Sequence, residues 1–246
     1  MDLLPAVDIR HGAAVRLTQG DFDRGQHYGD PLDLARSYAA AGAGWVHVVD
    51  LDAARSGRPV NRGVVLAIVD EVDARIEVGG GIRSADDVAE LLDGGAARVV
   101  MGTVAVTDPD LLTDLALAYP GRIVVGIDHR GGGSDVAVSG WEQAGGTTLT
   151  ELLDRLAPLP LAAVVVTAIE RDGTLEGPDL PGLRAVLEAT DLPVVASGGV
   201  RSVADLVALA ALEGRGRPLD GVIVGKALVE GVLDLEEALA ACAASE

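Results

Sequence analysis

The sequence predicts an α/β fold, a (β/α)8 TIM barrel with an internal two-fold half-barrel repeat, and three observations carry that prediction. Eight short β-branched runs alternate with helical patterns along the 246 residues. Near-continuous apolar strands of this kind are buried on both faces, as in a parallel sheet covered by helices. The chain also repeats itself: VGGGIRS (78–84) followed by VVMGTVAV (99–106) returns as ASGGVRS (196–202) followed by VIVGKALV (222–229). The offsets are 118 residues from Gly80 to Gly198, 123 from Gly102 to Gly225 and 120 from Asp8 to Asp128. Finally, 49% of residues are hydrophobic and only 2% aromatic, so Val, Leu, Ile and Ala must fill the core. That suits a branched aliphatic barrel interior.

The elements follow in order. The first strand, LLPAV (3–7), leads past Asp8 into a long loop (16–30) rich in Asp and Gly, and a helix is expected over 31–42. VHVVDL (46–51) is the second strand, followed by a helix over 61–71, and RIEVG (75–79) is the third. Ser84 with Asp87 resembles a capping box with Asp in place of the usual Glu, so a helix starts there. RVVMG (98–102) is the fourth strand, after which Asp108-Pro109 supplies an N-cap and a proline at the first helical position. The second half repeats the series: IVVGID (123–128), a long loop (129–146) holding Trp141, a helix over 147–156, AVVVTA (163–168) and a helix over 180–189. PVVAS (193–197), the capping pair Ser202 and Asp205, GVIVG (221–225) and a helix over 233–243 complete it. No Ser/Pro-rich linker or charge block divides the chain, so 1–246 reads as one domain with half-repeats of about 1–120 and 121–246. A doubly wound open sheet is the rival, and the repeated half fits it poorly.

Composition narrows the function. A net charge of −19 opposes attraction to nucleic acid or to an anionic membrane, so neither is expected as a partner and an anionic ligand must be held locally. Of 19 basic residues, Lys226 is the only lysine. One cysteine, Cys242, excludes an intrachain disulfide and a multi-cysteine metal site, and the four histidines show no metal-ligand spacing. No metal and no cofactor are expected. The N-terminal segment lacks a basic n-region, and no apolar run approaches about 18 residues. The chain reads as a soluble, cytoplasmic monomer.

In a barrel, function sits in the loops after the strands. In GGGIRS and SGGVRS the missing Cβ atoms let backbone N–H groups approach a ligand, while the helix begun at Ser84 or Ser202 points its positive end to the same place. Gly80 and Gly81 with Gly102 and Thr103, and Gly198 and Gly199 with Gly225 and Lys226, are therefore two candidate phosphate sites. A substrate with a phosphate at each end would fit both. Asp8 and Asp128 end equivalent strands and Asp172 follows the sixth, which makes them candidates for acid/base work; differing environments split carboxylate pKa values into acid and base. Capping or pairing with Arg is the alternative for each. Asp50 and Thr167 are paired as related positions, 117 residues apart, each either a mouth hydrogen-bonding group or a substrate contact. Arg83 and Arg201 stand between ion pairing and phosphate contact. Trp141 is read as covering a ligand, and His47, in an apolar strand, as a satisfied core histidine. The two long loops face each other across the mouth and are candidate lids.

LLPAVDIRHGAAVRLTQGDFDRGQHYGDP, VHVVDLDAA, VGGGIRS, VVMGT, VVGIDHR, ERDGTLEGPD, ASGGV and VGKAL together resemble the ProFAR isomerase family of histidine biosynthesis, over essentially the whole chain. The resemblance implies a half-repeat barrel without metal or organic cofactor, acting on a small molecule with two phosphoribosyl phosphates. It also implies an Amadori rearrangement of an aminoaldose to an aminoketose, with Asp8 as base and Asp128, placed ahead of Asp172, as acid. Some actinobacterial relatives also isomerise phosphoribosylanthranilate for tryptophan synthesis; this chain resembles them in Arg16 and Trp141 but has Ser139 where they carry Arg. Dual specificity is the second reading. The sister cyclase, a lyase, differs in the first strand, which here reads Ala6-Val7-Asp8-Ile9-Arg10. A catalytically silent phosphate-binding barrel is the remaining rival, and the intact Asp8, Asp128 and Asp172 argue against it.

Overall fold

The computed structural model describes residues 1–18, 21–130, 132, 135–138, 141 and 143–243, with backbone alone at 18 and 21–24. β1 (Asp2–Arg10) turns back through an antiparallel hairpin, β2 (Ala13–Thr18) and β3 (Asp21–His27), before α1 (Pro31–Ala40). β4 (Trp45–Asp50) leads to the short α2 (Leu51–Ser56) and to α3 (Arg62–Glu71), and β5 (Arg75–Gly79) to α4 (Ala85–Asp93). β6 (Arg98–Met101) leads to α5 (Val104–Thr107) and α6 (Pro109–Ala118).

The second half follows the same plan. β7 (Ile123–Arg130) turns back through β8 (Asp135–Val138) and β9 (Gln143–Ala144) to α7 (Leu149–Leu156). β10 (Ala163–Ala168) leads to α8 (Leu180–Ala189), and β11 (Val194–Ser197) to α9 (Val203–Ala210). A small ribbon, β12 (Glu213–Gly214) and β13 (Arg217–Pro218), precedes β14 (Gly221–Val224), α10 (Lys226–Val229) and α11 (Leu235–Ala243). Parallel pairing runs β1–β4–β5–β6–β7–β10–β11–β14 and back to β1, which closes an eight-stranded barrel.

All eight expected strands are present. The two long loops, expected as loops, are instead hairpins that extend β1 and β7 beyond the barrel rim. They do so in matching register, Asp8 opposite Val15 and Asp128 opposite Ala137. Their alternation was short and broken by Gly and Asp, so the period-2 signal stayed below recognition. Each hairpin is anchored beside a barrel carboxylate, and that places it over the site.

Strand alternation divides the apolar residues into two sets. Leu4, Ala6, Trp45, Val124, Ala163, Val165, Val195 and Ile223 pack inside the barrel. Leu3, Val7, Ile9, Val46, Val48, Ile76 and Val78 are among those packing outward against the helices. Burying a Val, Leu or Ile side chain contributes about 1.5–3 kcal/mol, so both shells favour this register. Followed upward, the inner rows Leu4–Ala6, Val124–Gly126 and Ala163–Val165 end on Asp8, Asp128 and Thr167. The fold thus delivers polar groups to one rim.

Helix starts reinforce that arrangement. Ser202 and Asp205 form a reciprocal capping box on α9. At α4, Ser84 accepts from Asp87 N–H, but the Asp87 carboxylate takes the backbone N–H of Arg83 at 3.3 Å instead of that of Ser84. Asp108 caps α6, accepting from Leu111 N–H at 3.1 Å. Among the described residues no helix is long and apolar enough to cross a membrane.

Candidate active site

A cavity of about 240 Å³ opens inside the rim. Its wall includes Asp8, Asp128, Asp172, Arg16, Arg83, Trp141, Thr167, Gly80, Gly81, Gly102 and Thr103. A second, much smaller hollow of about 20 Å³ lies between Gly198, Gly199, Gly225 and Lys226, with Arg16 and Asp172 on its inner side. The glycine segments of the two halves therefore fall at β5–β6 and β11–β14, on opposite sides of the closed ring.

The glycines are demanded by backbone proximity. Gly81 (φ 68°) and Gly199 (φ 84°) are left-handed, and a Cβ on either would collide with the carbonyl of Ala53 or of Gly177. The turn that aims α4 or α9 at the cavity thus packs directly on the preceding loop. At Gly225 a Cβ would overlap the Arg16 guanidinium, so the second-half hollow has a cation against its backbone. Lys226 Nζ donates to the Gly173 carbonyl at 2.9 Å and lies 3.8 Å from Glu230, which ties α10 to the loop carrying Asp172.

The three carboxylates meet different partners. Asp8 forms an ion pair with Arg16 of β2. Asp128 Oδ2 accepts from Trp141 Nε1 at 2.7 Å, and Asp128 also accepts from the Thr167 hydroxyl. Burial raises the Asp128 pKa above the ordinary carboxylate value, against the Trp141 and Thr167 bonds and the imidazoles of His129 and His47. Burial also raises Asp172; the charge of Arg16 opposes this, while the like charges of Asp8 and Asp128 add to it. The site therefore joins an ion-paired carboxylate with two that hold protons more tightly than usual. That is the pattern by which acid and base roles separate.

Asp50 is not on the cavity wall. It falls on the outward phase of β4, caps α2 through Ala53 N–H at 2.9 Å, and accepts from Asn61 N at 3.0 Å and Nδ2 at 2.7 Å. Both oxygens are thus occupied in holding the loop after β4. The pairing of Asp50 with Thr167 is corrected by register: Asp8 stands opposite Val49 and Asp128 opposite Thr167, so Val49 is the partner of Thr167 across the repeat. Both of those line the cavity. Arg83 also lines it and donates to the Ala54 carbonyl at 3.0 Å, whereas Arg201 is exposed and 3.6 Å from Asp205. Trp141, expected to cover a ligand, closes on Asp128 itself, with its carbonyl held by Arg130 at 2.6 Å. Ser139 lies outside the described residues.

His47, read as a satisfied core histidine, is buried and bonded through Nδ1 to Glu77, and it lines the cavity as well. The usable signal was parity: Trp45, His47 and Val49 share the inward phase of their strand. Among the described residues no group of three or more His, Cys, Asp or Glu is arranged to hold a metal ion.

Comparison with known proteins agrees with this architecture. The chain is 48% identical over 242 residues, 98% of its length and 93% of the relative's, to 1-(5-phosphoribosyl)-5-((5-phosphoribosylamino)methylideneamino) imidazole-4-carboxamide isomerase of Synechococcus elongatus. Similar proteins of the same name occur in Gloeothece citriformis, 46% identical over 98% of this chain and 93% of that one, and in Trichodesmium erythraeum, 45% over 97% and 91%. The model of the histidine biosynthesis protein family matches residues 2–234. With barrel, repeat and sequence in agreement over nearly its whole length, the chain belongs to the histidine biosynthesis protein family.

Proposed function

We propose that this protein is an aldose–ketose isomerase of histidine biosynthesis that converts the aminoaldose ribonucleotide ProFAR, the substrate in the relatives' name, to the aminoketose PRFAR by an Amadori rearrangement. The observation that carries this reading is the set of three carboxylates between two opposed, glycine-lined helix starts. Each helix start suits one terminal phosphate of the substrate: Gly81, Gly102 and Thr103 on one side, Gly199, Gly225 and Lys226 on the other. The same relatives favour the histidine-pathway substrate over the dual-specificity reading, because phosphoribosylanthranilate has one phosphate and would leave one helix start empty. The cytoplasm is the compartment this reading implies.

An acid first protonates the ribose ring oxygen, and the ring opens to a protonated Schiff base. A base then takes the C2 proton, and the resulting enolamine becomes the ketose. Asp8, ion-paired with Arg16, is the base. Asp172 fits the acid better than Asp128. Asp128 accepts from the Trp141 indole and the Thr167 hydroxyl, and both bonds favour its ionised form, whereas Asp172 has a single backbone N–H, from Gly173, and the charge of Arg16 that also favours its ion is set against two like charges, Asp8 and Asp128. Each such proton transfer contributes on the order of 10²–10⁴-fold.

The test is to assay the purified protein with ProFAR and phosphoribosylanthranilate side by side. Turnover of ProFAR alone is expected. Comparable efficiencies on both would replace this reading with dual specificity, and ammonia-dependent cyclisation would replace it with the sister lyase.

A further inference from the structure

One fully buried charge in the barrel has no part in the chemistry above. Glu77 on β5 is 0% exposed. Its Oε1 lies 2.5 Å from His47 Nδ1 on β4, and its Oε2 accepts from Arg98 Nε on β6 at 2.5 Å. The three are ladder neighbours, His47 opposite Glu77 and Glu77 opposite Arg98. The Arg98 guanidinium in turn lies 4.2 Å from the centroid of the Trp45 ring. Well-packed apolar residues often replace a buried ionic triad without loss of stability. Stability alone therefore does not account for this row.

The row ends at the cavity. His47 lines the wall, and its imidazole acts electrostatically on Asp128. Burial works against an ionised Glu77, but the bonds and charges of His47 and Arg98 hold its carboxyl below the ordinary value. An ionised carboxylate only accepts hydrogen bonds, so the shared proton sits on His47 Nδ1. Nε2 is the nitrogen left over, and among the described residues no hydrogen bond takes it. A carboxylate on one ring nitrogen is the usual means of fixing which face and tautomer a working imidazole offers with the other.

We propose that Glu77 is a positioning residue of this active site: it pins the His47 ring through Nδ1–H so that Nε2 meets a sugar oxygen of the substrate beside Asp128, with Arg98 fixing Glu77 in turn. The choice of substrate rests on the isomerase reading; the geometry does not. In Glu77→Gln, which keeps the volume and removes the charge, kcat is expected to fall roughly 10- to 100-fold, the scale seen for carboxylates that orient metal-bound histidines. KM should stay within about threefold, the split that marks loss of a transition-state interaction; the variant should melt below the parent, because Arg98 loses its buried counter-charge, and kcat is read at a temperature where both are folded. An unchanged kcat in a folded variant overturns the proposal.

Nitrogen NMR of the imidazoles keeps the test open if that variant fails to fold. In the unmutated protein without substrate, His47 is expected to carry its proton on Nδ1, and a proton on Nε2 alone rejects the positioning half. In Asp8→Asn protein saturated with ProFAR, the His47 Nε2 resonance should move while those of His11 and His27 stay put. An unmoved Nε2 under saturation overturns the substrate contact. The substrate-free spectrum is independent of turnover, so a protein inert toward ProFAR would sink the isomerase reading and leave Glu77 to be judged by the tautomer.

Discussion

The two hairpins that overhang the barrel are built alike and treat the carboxylates beneath them differently. Each extends a barrel strand, and each stands with its second strand opposite an aspartate, Val15 opposite Asp8 and Ala137 opposite Asp128. From the first hairpin Arg16 reaches down and pairs with Asp8. From the segment after β8 Trp141 reaches down and gives Asp128 a neutral indole N–H at 2.7 Å. A full positive charge favours a carboxylate as an ion, whereas a neutral donor compensates only part of what burial takes away. One scaffold used twice thus gives its two carboxylates unlike partners, a cation at Asp8 and a neutral donor at Asp128. The hollow at Gly225 shows the same asymmetry, since Arg16 also lies against its backbone, whereas among the described residues a Cβ built at Gly102 meets no side chain of the second half, only the Gly126 carbonyl at 3.5 Å.

The comparison breaks most visibly at Asp8. Asp8→Asn should remove turnover, a loss of at least about 10²–10⁴-fold if it is the base. The phosphate grips lie elsewhere, so calorimetric affinity for ProFAR should stay within about tenfold, or roughly 1.4 kcal/mol. Retained turnover would take Asp8 out of the mechanism.

Arg16→Gln comes next. It removes a charged hydrogen bond, so kcat/KM should fall by roughly 10- to 100-fold, matching the 1.5–3 kcal/mol such a bond is worth. It also changes the pH profile with a definite sign. Arg16 holds down the proton affinity of Asp172 against burial, so without it Asp172 keeps its proton to higher pH and the alkaline limb of kcat/KM moves up. Trp141→Phe is the smaller counterpart, with about a fivefold loss for one hydrogen bond worth about 1 kcal/mol. The indole lowers the proton affinity of Asp128, so its loss raises that of Asp128. With Asp172 as the acid, the alkaline limb then moves much less than in Arg16→Gln. The opposite ranking would give the acid role to Asp128.

The barrel was legible because its signals are periodic: eight apolar strands and a repeat of about 120 residues survive any uncertainty at element ends. The paired glycine segments and the pair Asp8 and Asp128 were legible for the same reason, as strand-end positions that recur, whereas Asp172 stood out only as an acid in the loop after the sixth strand. Asp50 was left between two roles because it adjoins a strand end; register settles it as a hydrogen-bonding residue, since it falls on the outward phase, where Asn61 and Ala53 consume its oxygens. Val49, one residue earlier, is the position that faces in. His47 was set aside as core because nothing near it in sequence announces Glu77, 30 residues on, or Arg98, 51 residues on. The partners meet only once strand register is fixed. Local chemistry is written in neighbouring residues, whereas these contacts belong to the closed ring.

The smallest difference between the halves lies in the two helix caps that face the site. On α9 the Asp205 carboxylate accepts from Ser202 N and Arg201 N, each at 3.1 Å. On α4 the equivalent Asp87 adds a cation from another helix, Arg62 at 2.9 Å. Burial pushes Asp87 upward, but the Ser84 hydroxyl, the Arg83 N–H and Arg62 hold it below its ordinary value of 3.8. A carboxylate with a depressed folded pKa contributes stability above its unfolded value and loses it as pH falls through the folded one. Asp87→Asn should therefore cost about 1 kcal/mol at neutral pH, the usual scale for a capping side chain. The gap from the parent should close in acid, below the ordinary carboxylate value, when urea unfolding is followed down the pH scale. Turnover at neutral pH should be unchanged, because Asp87 acts on the helix and not on the ligand. A gap that persists unchanged in strong acid would mean that hydrogen bonding, without charge, sustains this cap, and the two halves would then be equivalent at their helix starts.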